Sequence, residues 1–202
     1  MNPQNSITDK QQYQQTASHF FNILFAESLR NGSGEIEIRG FENGPRYQSY
    51  HDSIPEAVNA AYQACQKGLD VYVGVNSRIG QASRKENVHY LVAFHAEVDY
   101  GQDGHKKKPE YETYEDALAA ITAFEIPPTI VIHSGGGFHC YWVLKVPANV
   151  SEIGLANLEN VNKAILTKIK ADVGTHNINR ILRVPGTFNF KIPDNPRQVT
   201  II

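Results

Sequence analysis

The segment IVIHSGGGFHCYWVL, residues 130–144, constrains the fold more than any other stretch of the chain. Two apolar, β-rich runs flank three consecutive glycines, so the chain must reverse tightly and return as a second strand. Glycine there also lets the backbone approach a ligand closely, and consecutive N–H groups in such a turn can cradle an anion. Ser134 adds a hydroxyl at the turn. On the returning strand, alternation puts His139 and Tyr141 on one face and Cys140 and Trp142 on the other, which reads as core. His139 emerges beside the glycines, placed to meet a phosphate; the plainer alternative is a structural histidine. A strand rather than a helix follows the glycines, with no Lys-Ser or Lys-Thr. That excludes a P-loop and a dinucleotide fingerprint. A hydrolase nucleophile at Ser134 lacks the GxSxG elbow.

Just upstream, HYLVAFHAEVDYG, residues 89–101, reads as a buried strand that nevertheless carries Glu97 and Asp99 two positions apart. Side chains at that spacing share a face, with Cα atoms roughly 6.5–7 Å apart. Two carboxylates that close repel unless a positive charge lies between them or one keeps its proton. A divalent cation is one remedy; an exposed strand end where both acids face water is the other.

The chain has 202 residues with 41% hydrophobic and 20% charged content, enough for one packed domain or two small lobes. A formal net charge of −2 argues against a uniformly basic coat for nucleic acid but leaves room for local basic patches. No run of 18 apolar residues appears, and the N-terminus is polar without a signal-peptide core, so a cytoplasmic protein is expected. Cys65 and Cys140, with no CxxC pattern, read as two buried thiols.

Periodicity predicts a helix over 8–31, capped by Thr8 or Asp9, then a strand over 35–41 with a hairpin partner after GPRY. A helix over 53–68 starts at Ser53 and Pro55, and a strand at 70–75 follows. Beyond the acid strand lie a helix at YEDALAAITAF, the glycine hairpin, one helix of about five turns from Ser151 onward, and a short, turn-rich end. Helices intermingle with hairpin-paired strands, which predicts an α+β fold: mixed or antiparallel sheets carrying helices mainly on one face. The loop NSRIGQASRKEN divides an N-terminal αβ unit, residues 1–85, from a C-terminal unit, residues 86–202. The apolar end RQVTII reads as the edge of a domain cut from a longer polypeptide.

A third polar constellation, ADVGTHNINRILRVPGTFNFK at residues 171–191, places Asp172 after the long helix, then Arg180 and Arg183, then Lys191 beyond a Pro-Gly turn. Guanidinium forks pair bidentately with phosphate oxygens, although a surface salt-bridge cluster fits the same residues. The three segments, in this order, resemble the archaeo-eukaryotic primase superfamily, in particular primase-polymerases of phages and plasmids. The resemblance rests on Glu97-Val98-Asp99, on Gly137-Phe138-His139, and on Asp172, Gly174, Arg180 and Arg183 in a pattern like Asp-x-Gly-x5-Arg-x2-Arg. DVYVGVNSR and RVPGTFNFK support it, and it spans residues 20–191. The first acid is more usually Asp in that family.

The resemblance implies two units with an active cleft between them, the second built on an RNA-recognition-like sheet. It implies metal-dependent nucleotidyl transfer from nucleoside triphosphates to a 3′-hydroxyl on a single-stranded DNA template. Glu97, Asp99 and Asp172 would hold Mg²⁺ or Mn²⁺, hard cations suited to carboxylates. Ser134, Gly137, His139, Arg180 and Arg183 would bind the triphosphate. Arg78, Lys85, Tyr100 and Lys191 are weaker template or nucleotide contacts. The lysine run in HKKKPE, residues 105–110, reads as a solvated loop, with template-strand contact as the alternative. The resemblance also admits a helicase or accessory primase domain elsewhere in a longer chain. Two rival readings remain at this stage. One is a non-catalytic nucleic-acid module that stacks bases on the aromatics of YWV and FNF. The other is a metal-dependent nuclease or replication initiator, although no His-hydrophobic-His pair is present.

Overall fold

Alternation along IEIRGF sorts Ile36, Ile38 and Gly40 to one side of a strand and Glu37, Arg39 and Phe41 to the other, and the first sheet is built on that division. The computed structural model describes residues 9–30, 32, 34–102, 108–192 and 194–202. Strands β1 (Ile36–Phe41), β2 (Pro45–His51), β3 (Asp70–Gly74) and β7 (Ile181–Arg183) form an antiparallel sheet in the order β2-β1-β3-β7. Helices α1 (Lys10–Arg30) and α2 (Ile54–Gln66) cover its apolar face. Asp9 caps α1, its Oδ1 accepting the Gln12 N–H at 2.9 Å. Ser53 precedes α2 with Pro55 in the first turn, as expected, but makes no side-chain capping bond.

The second sheet, in the order β10-β5-β6-β4, is also antiparallel, so the mixed alternative does not apply among the named strands. It comprises β4 (Tyr90–Asp99), β5 (Ile130–His133), β6 (Gly137–Asn149) and β10 (Thr200–Ile201). The β4–β6 register sets Glu97 opposite His139 and Asp99 opposite Gly137. Ala96, Val98, Phe138, Cys140 and Trp142 therefore lie on one face, packed with Ala117 and Ile121 of α3 (Tyr114–Thr122) and Leu166 of α5 (Leu155–Lys168). The other face carries Tyr141, whose ring meets Phe20 of α1 edge-on at 5.5 Å. Helices thus flank this sheet on both sides, and α1 packs on β4, on β6 and on α2, which in turn covers the first sheet. Its stripe of Tyr13, Ala17, Phe20, Phe21, Leu24 and Phe25, at helical spacing, is buried in a core that includes residues of both sheets. Cys65 and Cys140 are buried free thiols.

The expected five-turn helix is broken. Gly154, with φ +92°, separates a single turn α4 (Val150–Ile153) from α5, because apolar periodicity continues through a residue whose backbone does not. After α5 the chain rounds the β4 edge, where the His95 ring Nε2 and the Thr175 carbonyl lie 3.1 Å apart. It then enters β7, in the sheet of the N-terminal unit, with Tyr72 opposite Arg183. Strands β8 (Phe188–Asn189) and β9 (Arg197–Gln198) pair with each other, and β10 returns to β5. Residues beyond the expected boundary at 85 therefore complete both sheets. This return brings the two arginines across from the acid strand.

Candidate active site

Where the two sheets meet, a cavity of about 110 Å³ is lined by Glu97, Asp99, Ser134, Gly135, Gly136, His139, Arg183, Asn189, Lys191, Ile192, Asn195 and Arg197. The acids come from the cleft face of β4 and His139 from the strand paired with it. A side chain at Gly137 is excluded: a Cβ there would lie 2.5 Å from Asp99 Oδ1 and 2.9 Å from the Val98 carbonyl. Glycine at that position is what lets the acid strand and the hairpin close up. Gly135 adopts φ +91°, and a Cβ on it would strike the Arg197 Cβ at 2.9 Å. The turn is tied from inside and from below. Ser134 N–H and Oγ–H both donate to the Gly137 carbonyl, at 2.8 and 3.0 Å. Asn189 Nδ2 donates to the Ser134 carbonyl at 2.8 Å and Arg197 Nη1 to the Gly135 carbonyl at 2.5 Å.

Arg180 donates from Nε and Nη2 to Glu97 Oε1, at 2.6 and 2.5 Å. Burial pushes the Glu97 carboxyl up from its ordinary value; Arg180 pulls against that, while the neighbouring Asp99 adds to it. The close two-point contact is that of an ionised carboxylate held by a guanidinium. His139 is held well below the ordinary histidine value, by burial first and then by Arg183 and Arg180, so it stands neutral at the cavity wall. Its buried Nδ1 has no hydrogen-bond partner in the fold. Arg183 donates to Asp70 Oδ1 from Nε at 3.3 Å and Nη2 at 3.0 Å, with its guanidinium 4.9 Å from the Tyr72 ring centre.

Several expected site residues lie elsewhere. Asp172 is exposed and caps a short 3₁₀ turn, its Oδ1 accepting the Gly174 N–H at 2.9 Å. Its neighbours Ala171 and Val173 pack on the cluster that covers the opposite face of β4. Among the described residues no group of three or more His, Cys, Asp or Glu is arranged to hold a metal ion, and Asp172 does not line the cavity that holds Glu97 and Asp99. Arg78 is wholly buried rather than poised for a ligand: Nε bonds Glu37 Oε2 at 2.9 Å and Nη2 the Asn179 carbonyl at 2.8 Å. Lys85 pairs with Glu159 at 2.9 Å, away from the cavity. Tyr100 packs on Tyr114 and Phe138, with its hydroxyl 2.7 Å from the His133 ring, so it does not face the acids. The lysine run falls mostly outside the described residues; Lys108 pairs with Glu112 at 3.6 Å. Trp142 donates to the Ile126 carbonyl and Tyr141 is buried, which withdraws YWV as a base-stacking platform.

Sequence reasoning missed Asn189, Asn195 and Arg197. The signal was present: FNF and RQV are short runs separated by the turn residues PDNP, a hairpin pattern.

No protein-family model matches the chain, and no curated protein matches it. Solved structures do. The AEP domain of the cyanophage S-2L primase-polymerase is 13% identical, with a TM-score of 0.65 over 93% of this chain and 88% of that one. Primase RepB′ gives 0.62 at 13% identity over 94% of this chain and 56% of that chain. The catalytic domain of RepB′ in complex with initiator DNA gives 0.59 at 14% identity, covering 94% and 83%. The chain therefore has the fold of an archaeo-eukaryotic primase-type catalytic domain. Among the described residues no helix is long and apolar enough to cross a membrane.

Proposed function

We propose that the chain is a primase-polymerase catalytic domain that joins nucleotides, ribo- or deoxyribo-, to a 3′-hydroxyl on single-stranded DNA in the replication of a phage or other mobile element. The carrying observation is the register of β4 against β6. It sets two same-face carboxylates beside a histidine and a glycine turn, on a fold shared with primase-polymerases. The donor set suits a hard cation: the two carboxylates Glu97 and Asp99 line one cavity, and Mg²⁺ is commonly held by one or two carboxylates together with substrate phosphates. Asp99 and Glu97 would hold Mg²⁺ or Mn²⁺, which when bound neutralises polyphosphate charge and activates the attacking oxygen.

The protein's own groups account for binding and orientation. Neutral His139 hydrogen-bonds a phosphate oxygen. The glycine turn, fixed by Asn189 and Arg197, lines the same cavity, and the backbone of such a turn can come close to an anion. Arg183, paired with Asp70, and Lys191 also line the cavity and would bring positive charge to a bound triphosphate. The template would cross the cleft between the sheets, with the second sheet acting as an RNA-recognition-like platform. A cytoplasmic setting and a helicase or accessory primase domain as partner are part of this reading.

The test is primer synthesis on single-stranded DNA with labelled nucleotides and Mg²⁺ or Mn²⁺. The parent should make metal-dependent products, and a folded Asp99→Ala protein none. Full synthesis by folded Asp99→Ala would contradict the assignment. Metal-dependent strand breakage without incorporation would favour a nuclease.

A further inference from the structure

The two carboxylates of β4 are not equally open to a cation. Arg180 is anchored at the cleft edge by its backbone, its N–H bonding the Asn177 carbonyl at 3.1 Å and its carbonyl accepting the Val75 N–H at 2.9 Å. From there both of its donating nitrogens converge on Glu97 Oε1. The side chains are 35% and 21% exposed, so the pair stands at the margin of the cavity and can be opened by a competing charge. Arg183 is committed to Asp70 and the Tyr72 ring. Among the described residues only Glu97 and Asp99 bring carboxylates to the lining of this cavity.

We infer that Arg180 is a resident counter-cation of Glu97, so that guanidinium and divalent metal compete for one carboxylate. A carboxylate oxygen that accepts two charge-assisted hydrogen bonds has its lone pairs engaged, and a guanidinium at that distance repels an arriving dication. Phosphate oxygens accept the same planar fork. The polyphosphate of an incoming nucleotide therefore draws Arg180 away from Glu97 as metal takes its place, and metal loading at Glu97 is coupled to nucleotide binding. Linkage makes the coupling mutual: nucleotide tightens metal and metal tightens nucleotide. This inference rests on the nucleotidyl-transfer reading of the cavity.

Mn²⁺ titration followed by electron paramagnetic resonance tests it without activity as a readout, with thermal melts confirming that each protein is folded. Without nucleotide, Arg180→Gln should bind Mn²⁺ roughly 5–150-fold more tightly than the parent, the usual range of a coupling between sites. Adding Glu97→Gln to that variant should remove the gain. A non-hydrolysable triphosphate should tighten Mn²⁺ binding more in the parent than in Arg180→Gln. Should Arg180→Gln fail to fold, Arg180→Lys serves instead: an ammonium cannot fork onto the carboxylate, so tighter binding than the parent is expected. Binding no tighter than the parent in the folded variant, by a parent that makes primers, overturns this inference alone. No Mn²⁺ binding by any of the proteins, with or without triphosphate, overturns it together with the functional reading.

Discussion

Replacing Arg78 by Met separates a structural role from a ligand-binding one. Arg78 and Glu37 are each 0% exposed and joined at 2.9 Å, and burial lowers the guanidinium from its ordinary value even beside that carboxylate. Removing the arginine leaves Glu37 with only Gln48 Nε2 at 2.8 Å and Arg39 Nε at 3.9 Å. Breaking a buried pair from one side costs about 3–5 kcal/mol, because the remaining charge is desolvated and uncompensated. Against the roughly 5–15 kcal/mol that holds a domain folded, that is a large fraction. At about 2–4 °C per kcal/mol for a chain of this size, the melting temperature should fall by about 10 °C. Thermal unfolding followed by circular dichroism measures that fall, and urea unfolding the free energy. The double variant Glu37→Gln/Arg78→Met should recover most of the loss, since a neutral amide leaves no buried charge. A folded Arg78→Met protein with parental stability and lost triphosphate binding would refute this reasoning and restore Arg78 as a ligand contact.

Gly137→Ala should cut nucleotide transfer by about 10²-fold while leaving a folded protein, because its Cβ would displace Asp99 by an ångström-scale shift; steady-state incorporation kinetics check it. Asp172→Asn should leave the Mn²⁺ stoichiometry unchanged, and Asp172→Ala should cost about 0.5–2 kcal/mol as a lost cap, read by metal titration and by urea unfolding respectively. Buried His95 is held down to about 4, so from pH 6.5 to 4 the unfolded chain takes up its proton before the folded one. Its stabilising contribution is complete above pH 6.5 and falls away on acidification by about 3 kcal/mol. Urea titrations across that window should show a shallower pH slope in His95→Gln than in the parent; equal slopes would contradict it.

The parts of the site legible in sequence are those fixed by local alternation. Glu97 and Asp99 share a face, and His139 follows the glycines, because a strand has a period of two whatever it packs against. Cys140 and Trp142 fall in the core for the same reason. What stayed hidden depends on distant pairing. Nothing local tells that Arg78 meets Glu37, 41 residues upstream, rather than a nucleotide. The final segment's split between two sheets is equally non-local: β7 pairs with β3 and β10 with β5. Asp172 matched a spacing pattern, but the chain had not yet rounded the β4 edge, so the acid stays outside the cavity that Arg183 reaches. Tyr100, one residue past Asp99, turns to the opposite face by the alternation that paired the acids.

The most direct measurement is a crystal structure of the protein with Mn²⁺ and a non-hydrolysable nucleoside triphosphate, with data collected at the manganese absorption edge. The account predicts an anomalous peak at coordination distance from Asp99 and Glu97, with the polyphosphate against the glycine turn and His139. Manganese bound elsewhere, with the triphosphate away from that turn, would contradict it.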